Sequence, residues 1–280
     1  MRQFNKITII GVGLIGGSIA LAAKKKGLAK QIVGVCRHTQ SLRRARKLGA
    51  IDQGTLDWRK AVENADLVIL AAPIYQIIQI AERIAPHLKD NCLVCDAGST
   101  KSEIVSRLER ALSSKACFVG AHPLAGSEKR GVGAARSDLF KNSLCLITRT
   151  KGTNPGALRK ISALWRKLGC RIQIISPQGH DRAAALISHL PHLAALGLIK
   201  VARGSLNFAA KGFLDTTRIA SSDAEIWTDI FLSNRWAVAK ALDHYIRYLK
   251  QLRRLVVRKN RGKLNSEFKT AKRLRDALQK

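Results

Sequence analysis

Acidic residues are scarce in this chain of 280 residues: 19 Asp and Glu stand against 50 Lys and Arg, a formal net charge of +31. Such a surplus raises nucleic acid, anionic membranes and acidic small molecules as partners, although a basic surface with no specific ligand accounts for it as well. Neither a helix-turn-helix nor a zinc-finger pattern accompanies the charge, so the sequence predicts no nucleic-acid partner.

Long apolar runs are also lacking, because no charge-free run approaches the roughly 20 residues of a membrane span. The first ten residues, MRQFNKITII, lead directly into a strand-like run and leave no room for a targeting segment. The sequence therefore predicts a cytoplasmic protein with no membrane partner.

Six cysteines are too few for a dense disulfide framework, and the CxxC pattern of Cys92 and Cys95 has no second half at zinc spacing. We expect a buried strand there, and no metal site.

Short β-branched runs alternate with helical patterns as far as about residue 175. The strand-like runs cover 6–10, 32–36, 67–72, 92–96, 117–121, 144–148 and 172–175, and helical periodicity is clear over 41–48, 77–88 and 102–112. This alternation predicts the α/β class, with an N-terminal Rossmann-type, doubly wound parallel sheet. The last two runs fit either an edge hairpin or antiparallel strands.

Beyond Ser176 and Pro177 the patterns are helical only. We predict helices over 177–202, from near 222, over 234–259 and in the tail. In the long helix, apolar residues recur every three or four positions and must pack on another helix, in the same chain or in a second subunit. The sequence therefore divides into a dinucleotide-binding domain, 1–175, and an all-α domain, 176–280.

A glycine-rich turn, GVGLIG, directly follows the first strand-like run and opens a helix. Glycines at this spacing allow a tight turn, and the helix N-terminus offers free N–H groups to a pyrophosphate. The second run ends at Cys36 and Arg37 with no carboxylate for a ribose hydroxyl, which favours NADP over NAD. The residues assigned to the cofactor are Gly11, Gly13, Leu14, Ile15, Gly16, Arg37, Ala72 and Pro73.

Polar residues follow the fourth and fifth runs, where a parallel sheet binds its ligands. They form DAGSTK over 96–101 and GAHPLAGSEKRG over 120–131. In the second segment, His122 stands between a strand end and a proline. A histidine fixed in this way is suited to general acid–base catalysis, because its ordinary pKa is near the working pH.

Three polar residues share a face of the first helix after residue 176. Asp181, Ser188 and His192 are spaced by seven and four, and Pro191 is expected to kink the helix beside His192. Farther along, Arg218 falls in a loop-like segment and is suited to binding a carboxylate through two N–H groups. Together these residues predict a cleft between a nucleotide domain and a helical domain.

Six motifs occur in order along nearly the whole chain. They are GVGLIGGS at 11–18, DAGSTK at 96–101, GAHPLAGSEKRGV at 120–132, HDRAAALISHLPH at 180–192, FLDTTRIASSD at 213–223 and IWTDIF at 226–231. With these motifs the sequence resembles the prephenate dehydrogenase family, which also includes arogenate and cyclohexadienyl dehydrogenases. The resemblance implies a homodimer formed through the helical domain, with the active site between the two domains.

The resemblance also implies a role for each site residue. His122 would take the proton of the substrate's ring hydroxyl as hydride leaves for the nicotinamide, and Ser99 would help to position both groups. Asp181 would support the substrate-binding residues from a position near Arg218. The residues implied in substrate binding are Arg218, His192, Ser188, Ser127 and Asp181.

Two positions depart from the family pattern. Leu214 stands where some members carry a basic residue, and the run Gly34-Val-Cys36-Arg37 resembles the NADP-using arogenate branch. His192 points instead to prephenate, since some arogenate enzymes lack that histidine. The expected reaction is oxidative decarboxylation of prephenate to 4-hydroxyphenylpyruvate in tyrosine biosynthesis. The alternatives are an arogenate dehydrogenase forming tyrosine directly, another Rossmann enzyme acting on hydroxy acids, and a basic nucleotide-sensing regulator.

Overall fold

A computed structural model describes residues 3–126, 129 and 131–278. A six-stranded sheet with strand order β3-β2-β1-β4-β5-β6 forms its centre, and every pair of neighbouring strands is parallel. Its strands are β1 Phe4–Ile10, β2 Ala29–Val35, β3 Gln53–Thr55, β4 Leu67–Leu70, β5 Cys92–Asp96 and β6 Ala116–Val119. The prediction of a doubly wound parallel sheet is confirmed.

Helices connect these strands and continue as far as Ala277. Those of the α/β part are α1 Leu14–Lys25, α2 Thr39–Lys47, α3 Trp58–Val62, α4 Ile74–Ile84, α5 Ser102–Leu112 and α6 Pro155–Leu168. Those that follow are α7 Pro177–Ala184, α8 Leu190–Val201, α9 Lys211–Thr217, α10 Ala224–Ser233, α11 Arg235–Val257 and α12 Arg261–Ala277. Short 3-10 turns cover Ala85–His87, Val132–Ala134, Arg203–Phe208 and Arg218–Ser221.

A second sheet of three strands, β7 Ala121–Pro123, β8 Leu144–Thr148 and β9 Arg171–Ile175, was not anticipated. The predicted run 117–121 is divided, because β6 ends at Val119 and β7 opens the new sheet. Strands β7 and β8 are antiparallel, whereas β8 and β9 are parallel, so the last two runs form neither a hairpin nor an antiparallel pair. Helix α6 provides the crossover that joins two parallel strands.

Two hydrophobic cores lie on the two faces of the central sheet. Successive residues of a strand point to opposite faces, and β1 shows the division: Ile7 and Ile9 belong to one core and Ile10 to the other. Strand β5, which carries Cys92 and Cys95, is buried throughout, as the sequence predicts. All six cysteines are free.

The helical stretch Pro177–Val201 contains a π-helical turn, Ala185–His189, between α7 and α8. Pro191 follows this turn and has no N–H to give to the carbonyl four residues earlier, so the predicted local distortion is present as a widened turn. The stretch is long and apolar enough to span a membrane by length and composition alone. The expectation that no apolar run approaches that length is therefore wrong, because residues 183–199 contain no formally charged side chain.

The chain forms two compact units, Met1–Asn234 and Arg235–Lys280. The boundary near residue 175 stays a prediction, since the first helices after it belong to the first unit. Within the second unit α11 packs on α12, and the Tyr248 hydroxyl donates to Glu267 at 2.7 Å. Leu249 and Val256 of the predicted apolar stripe on α11 are exposed.

Candidate active site

The glycine turn between β1 and α1 has backbone that only glycine allows. Gly11 has φ +97°, and a Cβ there would lie 2.3 Å from the Ala71 carbonyl oxygen. A Cβ on Gly16 would lie 2.1 Å from the carbonyl oxygen of Gly11. Gly13 differs, because nothing lies within 4 Å of the Cβ position. The turn is therefore closely packed at two glycines and open at the third.

That open position lies at the start of α1, which begins at Leu14 and continues through Ile15. Gly13 is the N-cap, and no side chain caps the helix. Free N–H groups and the positive end of the helix dipole attract a phosphate there. Ala72 and Pro73 follow β4, the strand beside β1, and so lie at the same edge of the sheet. These residues fit a dinucleotide.

The end of β2 offers no carboxylate for a ribose hydroxyl among the described residues nearby. The Cys36 thiol donates to the Val12 carbonyl at 3.8 Å, and Arg37 is exposed. Asp52, the next acidic residue along the chain, accepts from the Ile32 N–H at 2.7 Å and from the Lys24 ammonium. The Asp52 carboxylate is therefore already hydrogen-bonded, and it lies beside Ile32 inside β2, not at the carboxyl end of that strand.

His122 lies on β7 and forms a hydrogen-bonded chain with two residues of α7. Its Nδ1 lies 2.8 Å from His180 Nε2, and His180 Nδ1 lies 2.8 Å from Asp181 Oδ1. His180 is completely buried and Asp181 nearly so. The sequence reasoning missed His180, although it stands directly beside Asp181 in the HDR motif, because only the helical spacing from Asp181 was considered.

Asp181 joins α7 to the beginning of α5. Its two oxygens accept from the backbone N–H groups of Lys101 and Ser102, both at 2.8 Å. Burial raises the pKa of this carboxyl, but the hydrogen bonds from His180 and Ser102 outweigh burial and hold the pKa below its ordinary value. None of the hydrogen bonds found in the described part of the chain joins Asp181 to Arg218. The place near that arginine that the resemblance implies stays a prediction, and the structure shows Asp181 capping α5.

The loop from β5 to α5 carries Ser99 and a buried ion pair. Ser99 is half-buried. Lys101 Nζ donates to Asp96 Oδ2 and to the Thr100 carbonyl, and neither charged side chain is exposed. Asp96 also accepts from the N–H of Ala121, the residue before His122. The ion pair therefore ties the end of β5 to the strand that carries His122.

The histidines of this region are held uncharged near neutral pH. Burial, followed by the neighbouring His180, Lys101 and His189, lowers the pKa of His122 well below its ordinary value. Burial also lowers the pKa of His180, against the opposing effect of Asp181. It lowers the pKa of His189 to about 4. A neutral imidazole carries one free lone pair and can act as a base.

A second group of predicted residues surrounds His192 on α8. Its ring stacks on Trp227 with a centroid separation of 3.3 Å, and Nδ1 lies 2.9 Å from the Ser188 carbonyl oxygen. Burial and the charge of Arg218 lower the pKa of His192, although the bond to Ser188 raises it. Arg218 is exposed at the start of a 3-10 turn, not in the predicted loop, because α9 runs directly into that turn.

The structure thus brings His122 and Asp181 together through His180, and His192 together with Ser188 and Arg218. Trp227, which stacks on His192, was part of a quoted motif but had no predicted role. Ser127, the remaining predicted substrate residue, lies outside the described residues. In the described part of the chain, no cluster of three His, Cys, Asp or Glu side chains is placed to hold a metal ion.

Two family models match consecutive parts of the chain. The prephenate dehydrogenase nucleotide-binding domain matches residues 19–174, and the prephenate dehydrogenase dimerization domain matches residues 176–270. The chain belongs to the prephenate dehydrogenase family. This is an oxidoreductase family, and the resemblance indicated by the six sequence motifs is confirmed.

Relatives in the prephenate dehydrogenase family match over almost the whole chain. Prephenate dehydrogenase of Bacillus subtilis is 38% identical over 97% of this chain and 76% of the relative. Cyclohexadienyl dehydrogenase of Zymomonas mobilis is 36% identical over 99% of this chain and 97% of the relative. Relatives with both names therefore share the full length of the fold.

Solved structures of the prephenate dehydrogenase family give the same result. Aquifex aeolicus prephenate dehydrogenase, in complex with hydroxyphenyl propionate and NAD+, superposes with a TM-score of 0.93 at 32% identity, covering 98% of each chain. Synechocystis arogenate dehydrogenase superposes with a TM-score of 0.85 at 30% identity, covering 97% of this chain and 99% of the other. The fold is thus common to structures named for two different substrates.

Proposed function

We propose that this chain catalyses the NAD(P)-dependent oxidative decarboxylation of prephenate to 4-hydroxyphenylpyruvate in tyrosine biosynthesis. One observation carries the proposal: in a chain of this family, His122 Nδ1 lies 2.8 Å from His180 Nε2, in a buried setting that lowers the pKa of His122. This bond leaves Nε2 as the nitrogen available to a substrate hydroxyl.

The protein residues bind the substrate and move one proton. When bound, the nicotinamide accepts the hydride from the ring carbon that bears the hydroxyl. His122 takes the hydroxyl proton, and Ser99 in the neighbouring loop helps to orient both groups. As the carbonyl forms, the bond to the ring carboxylate breaks and CO2 leaves, which aromatises the ring. Holding the reacting groups close together and correctly oriented supplies much of the rate enhancement.

Prephenate carries two carboxylates, so its binding site needs cationic or donor groups. We assign Arg218, His192 and Ser188 to this task, with Ser127. The guanidinium of Arg218 is exposed and acts on His192 through its charge. The Trp227 ring, stacked on His192, fixes the orientation of that imidazole. Arg218 therefore supplies the charge for an anionic group, and the stacked His192 ring forms a fixed surface beside it.

Arogenate is the second candidate substrate, and it differs from prephenate in carrying an amino group where prephenate has a keto group. The similarity to Synechocystis arogenate dehydrogenase supports it. Oxidation of arogenate would form tyrosine directly. We favour prephenate because His192 occupies the SHLPH motif and stacks on Trp227, beside Arg218.

For the cofactor we propose a preference for NADP over NAD. Arg37 is exposed at the end of β2, and the nearby Asp52 is bonded to Ile32 and Lys24. An arginine without a competing carboxylate suits a 2′-phosphate. The test is Arg37→Ala, which should raise the KM for NADP more than the KM for NAD. Equal effects on both, or a wild-type preference for NAD, the cofactor bound in the Aquifex complex, would contradict the proposal.

We further propose a cytoplasmic homodimer that associates through a helical domain beginning near residue 176. Large apolar side chains are exposed in this region, with exposed fractions of 68% for Ile187, 89% for Val201 and 80% for Phe208. Exposed patches of this kind mark protein interfaces. Light scattering at micromolar concentration should give twice the mass of one chain, and a monomer would refute the proposal.

The experiment that tests the proposed reaction is a four-way assay of prephenate and arogenate with NAD and NADP. Reduced cofactor is followed by absorbance, and products are separated by chromatography. We expect 4-hydroxyphenylpyruvate and one CO2 for each reduced cofactor, fastest with prephenate and NADP. Tyrosine formed faster from arogenate would establish the second candidate, and absence of turnover in all four mixtures would refute the function.

A further inference from the structure

We propose that His180 is a positioning residue that holds His122 in the tautomer with the proton on Nδ1 and the lone pair on Nε2. The inference rests on the proposed function, in which His122 acts as the base. It adds the hydrogen-bonded chain Asp181–His180–His122 as the device that prepares this base before substrate binds.

The direction of every hydrogen bond follows from Asp181. Its carboxylate already accepts two backbone N–H bonds at the beginning of α5, at 2.8 Å each. These bonds and the positive end of the helix dipole favour the ionised form. An ionised carboxylate only accepts hydrogen bonds, so at a separation of 2.8 Å His180 Nδ1 must carry a proton and donate it.

His180 is neutral as well as fixed. Its ring is completely buried, and the charged groups around it are Asp181, on its own helix, and the Lys101–Asp96 pair from the loop after β5. Burial and Lys101 lower the pKa of His180 more than Asp181 raises it. A neutral ring with its proton on Nδ1 has a lone pair on Nε2.

The same reasoning fixes His122. His180 Nε2 accepts, so His122 Nδ1, 2.8 Å away, must donate. The neutral His122 ring therefore keeps its lone pair on Nε2, which is the form needed to receive a proton. The other tautomer would place an N–H at that position and leave the base without a lone pair.

The chain of bonds also favours the protonated state of His122 in the reaction. When the hydroxyl proton moves to Nε2, His122 becomes an imidazolium, and its Nδ1–H bond to His180 becomes charge-assisted. The electron pair of the ring C–H bond leaves as hydride to the nicotinamide dinucleotide. The electron pair of the broken carboxylate bond moves through the ring to the carbonyl oxygen, which takes back the proton from His122 Nε2 and becomes the phenol hydroxyl. No proton needs to leave His122 Nδ1. The negative charge of Asp181, one ring away, offsets the new positive charge.

The position of α7 is itself fixed from its other side. The Asn234 side-chain amide donates to the Asp181 carbonyl at 2.8 Å and lies 3.2 Å from His189 Nδ1. The main chain that carries His180 is therefore held at both α5 and Asn234. A fixed acceptor for His122 is what a positioning role requires, because small displacements of a base cost much of the rate.

The first arm of the test needs neither substrate nor cofactor. Nitrogen-15 NMR of the full-length protein, labelled at histidine, reports the protonation of each ring nitrogen. Signals are assigned from the spectra of His122→Asn and His180→Gln. At pH 7 we expect His122 and His180 both neutral and protonated on Nδ1. A signal showing His122 protonated on Nε2 would overturn the proposal whether or not the enzyme accepts prephenate.

The second arm compares His180→Asn with His180→Gln. A glutamine places its carbonyl near the position of the imidazole Nε2 and can still accept from His122, whereas asparagine places its amide near Nδ1 and cannot. We expect kcat to fall about 100-fold or more in His180→Asn, with less than a threefold change in cofactor Kd. His180→Gln should retain at least ten times the kcat of His180→Asn. The exposed His87→Asn variant is the control and should match the wild type.

A purely structural role for His180 gives a different result. Both variants would then lose kcat only in proportion to lost folded protein, and folded His180→Asn, which lacks the acceptor, would keep the wild-type tautomer of His122. Equal kcat in folded His180→Asn and wild type would also overturn the proposal. If His180→Asn does not fold, the nitrogen-15 spectrum of the wild type and the kcat of His180→Gln still test the proposal. A wild type inactive in the four-way assay refutes the proposed function but leaves the tautomer measurement valid.

Discussion

Replacement of Lys101 by methionine tests how the region of His122 is held together. Lys101 is completely buried, and its ammonium donates to Asp96 and to the Thr100 carbonyl. Methionine keeps much of the side-chain volume and removes the charge. Asp96 would keep its bonds from the N–H groups of Gly98 and Ala121, at 2.8 and 3.2 Å, but would lose its cation.

The expected cost is large because a buried carboxylate is left without its partner. Removing one member of a buried ion pair destabilises a protein by about 3–5 kcal/mol. The two surviving N–H bonds place the expected loss toward the lower value, at about 3 kcal/mol. Adding Asp96→Asn removes the second charge, so the double variant should be less destabilised than the sum of the single variants by about 2 kcal/mol.

Urea unfolding followed by tryptophan fluorescence measures these free energies for the two single variants and the double variant. Lys47→Met is the matched control, because Lys47 is exposed at the end of α2. The control should change stability by less than about 0.5 kcal/mol. Additive effects of Lys101→Met and Asp96→Asn would refute the reasoning, since they would mean that the two buried charges do not stabilise one another.

Three further predictions concern the cofactor, the substrate and the base. Gly16→Ala should abolish dinucleotide binding in calorimetry without unfolding the chain, because its Cβ would lie 2.1 Å from the Gly11 carbonyl oxygen; normal affinity would refute the assignment of the turn. Arg218→Ala should raise the KM for prephenate about tenfold or more with a smaller effect on kcat, and an unchanged KM would remove Arg218 from the site. The Lys101 charge lowers the pKa of His122, so in folded Lys101→Met the acid limb of kcat/KM should move to higher pH; a shift to lower pH would contradict this.

Much of the central sheet follows directly from the sequence. Strand β5 and helix α5 begin and end where the apolar patterns predict, because β5 is buried on both faces and α5 on its apolar face. Strand β3 escaped prediction since Gln53–Thr55 has only three residues and no apolar side chain. The division of residues 117–121 between two sheets could not be read from the run, because a continuous apolar pattern does not reveal a change of partner strand.

The candidate site shows the same limit. His122 was found because a strand end and a proline flank it, which are local features. His180 was missed because its importance depends on β7 and α7 lying side by side, a contact 58 residues apart in the chain. Asp181 was found by helical spacing, but its partners, the N–H groups at the beginning of α5, are 80 and 79 residues away in sequence. Residue types and local periodicity identify candidate groups, whereas their partners depend on tertiary packing.

The most direct test of the account compares wild type and His122→Asn with prephenate under saturating cofactor. Asparagine can still accept a hydrogen bond but cannot take the hydroxyl proton at neutral pH. We predict that kcat falls by about 100-fold or more, while the cofactor Kd from fluorescence titration stays within about twofold of the wild type. Turnover of the folded variant near the wild-type rate would contradict the assignment of His122 as the base.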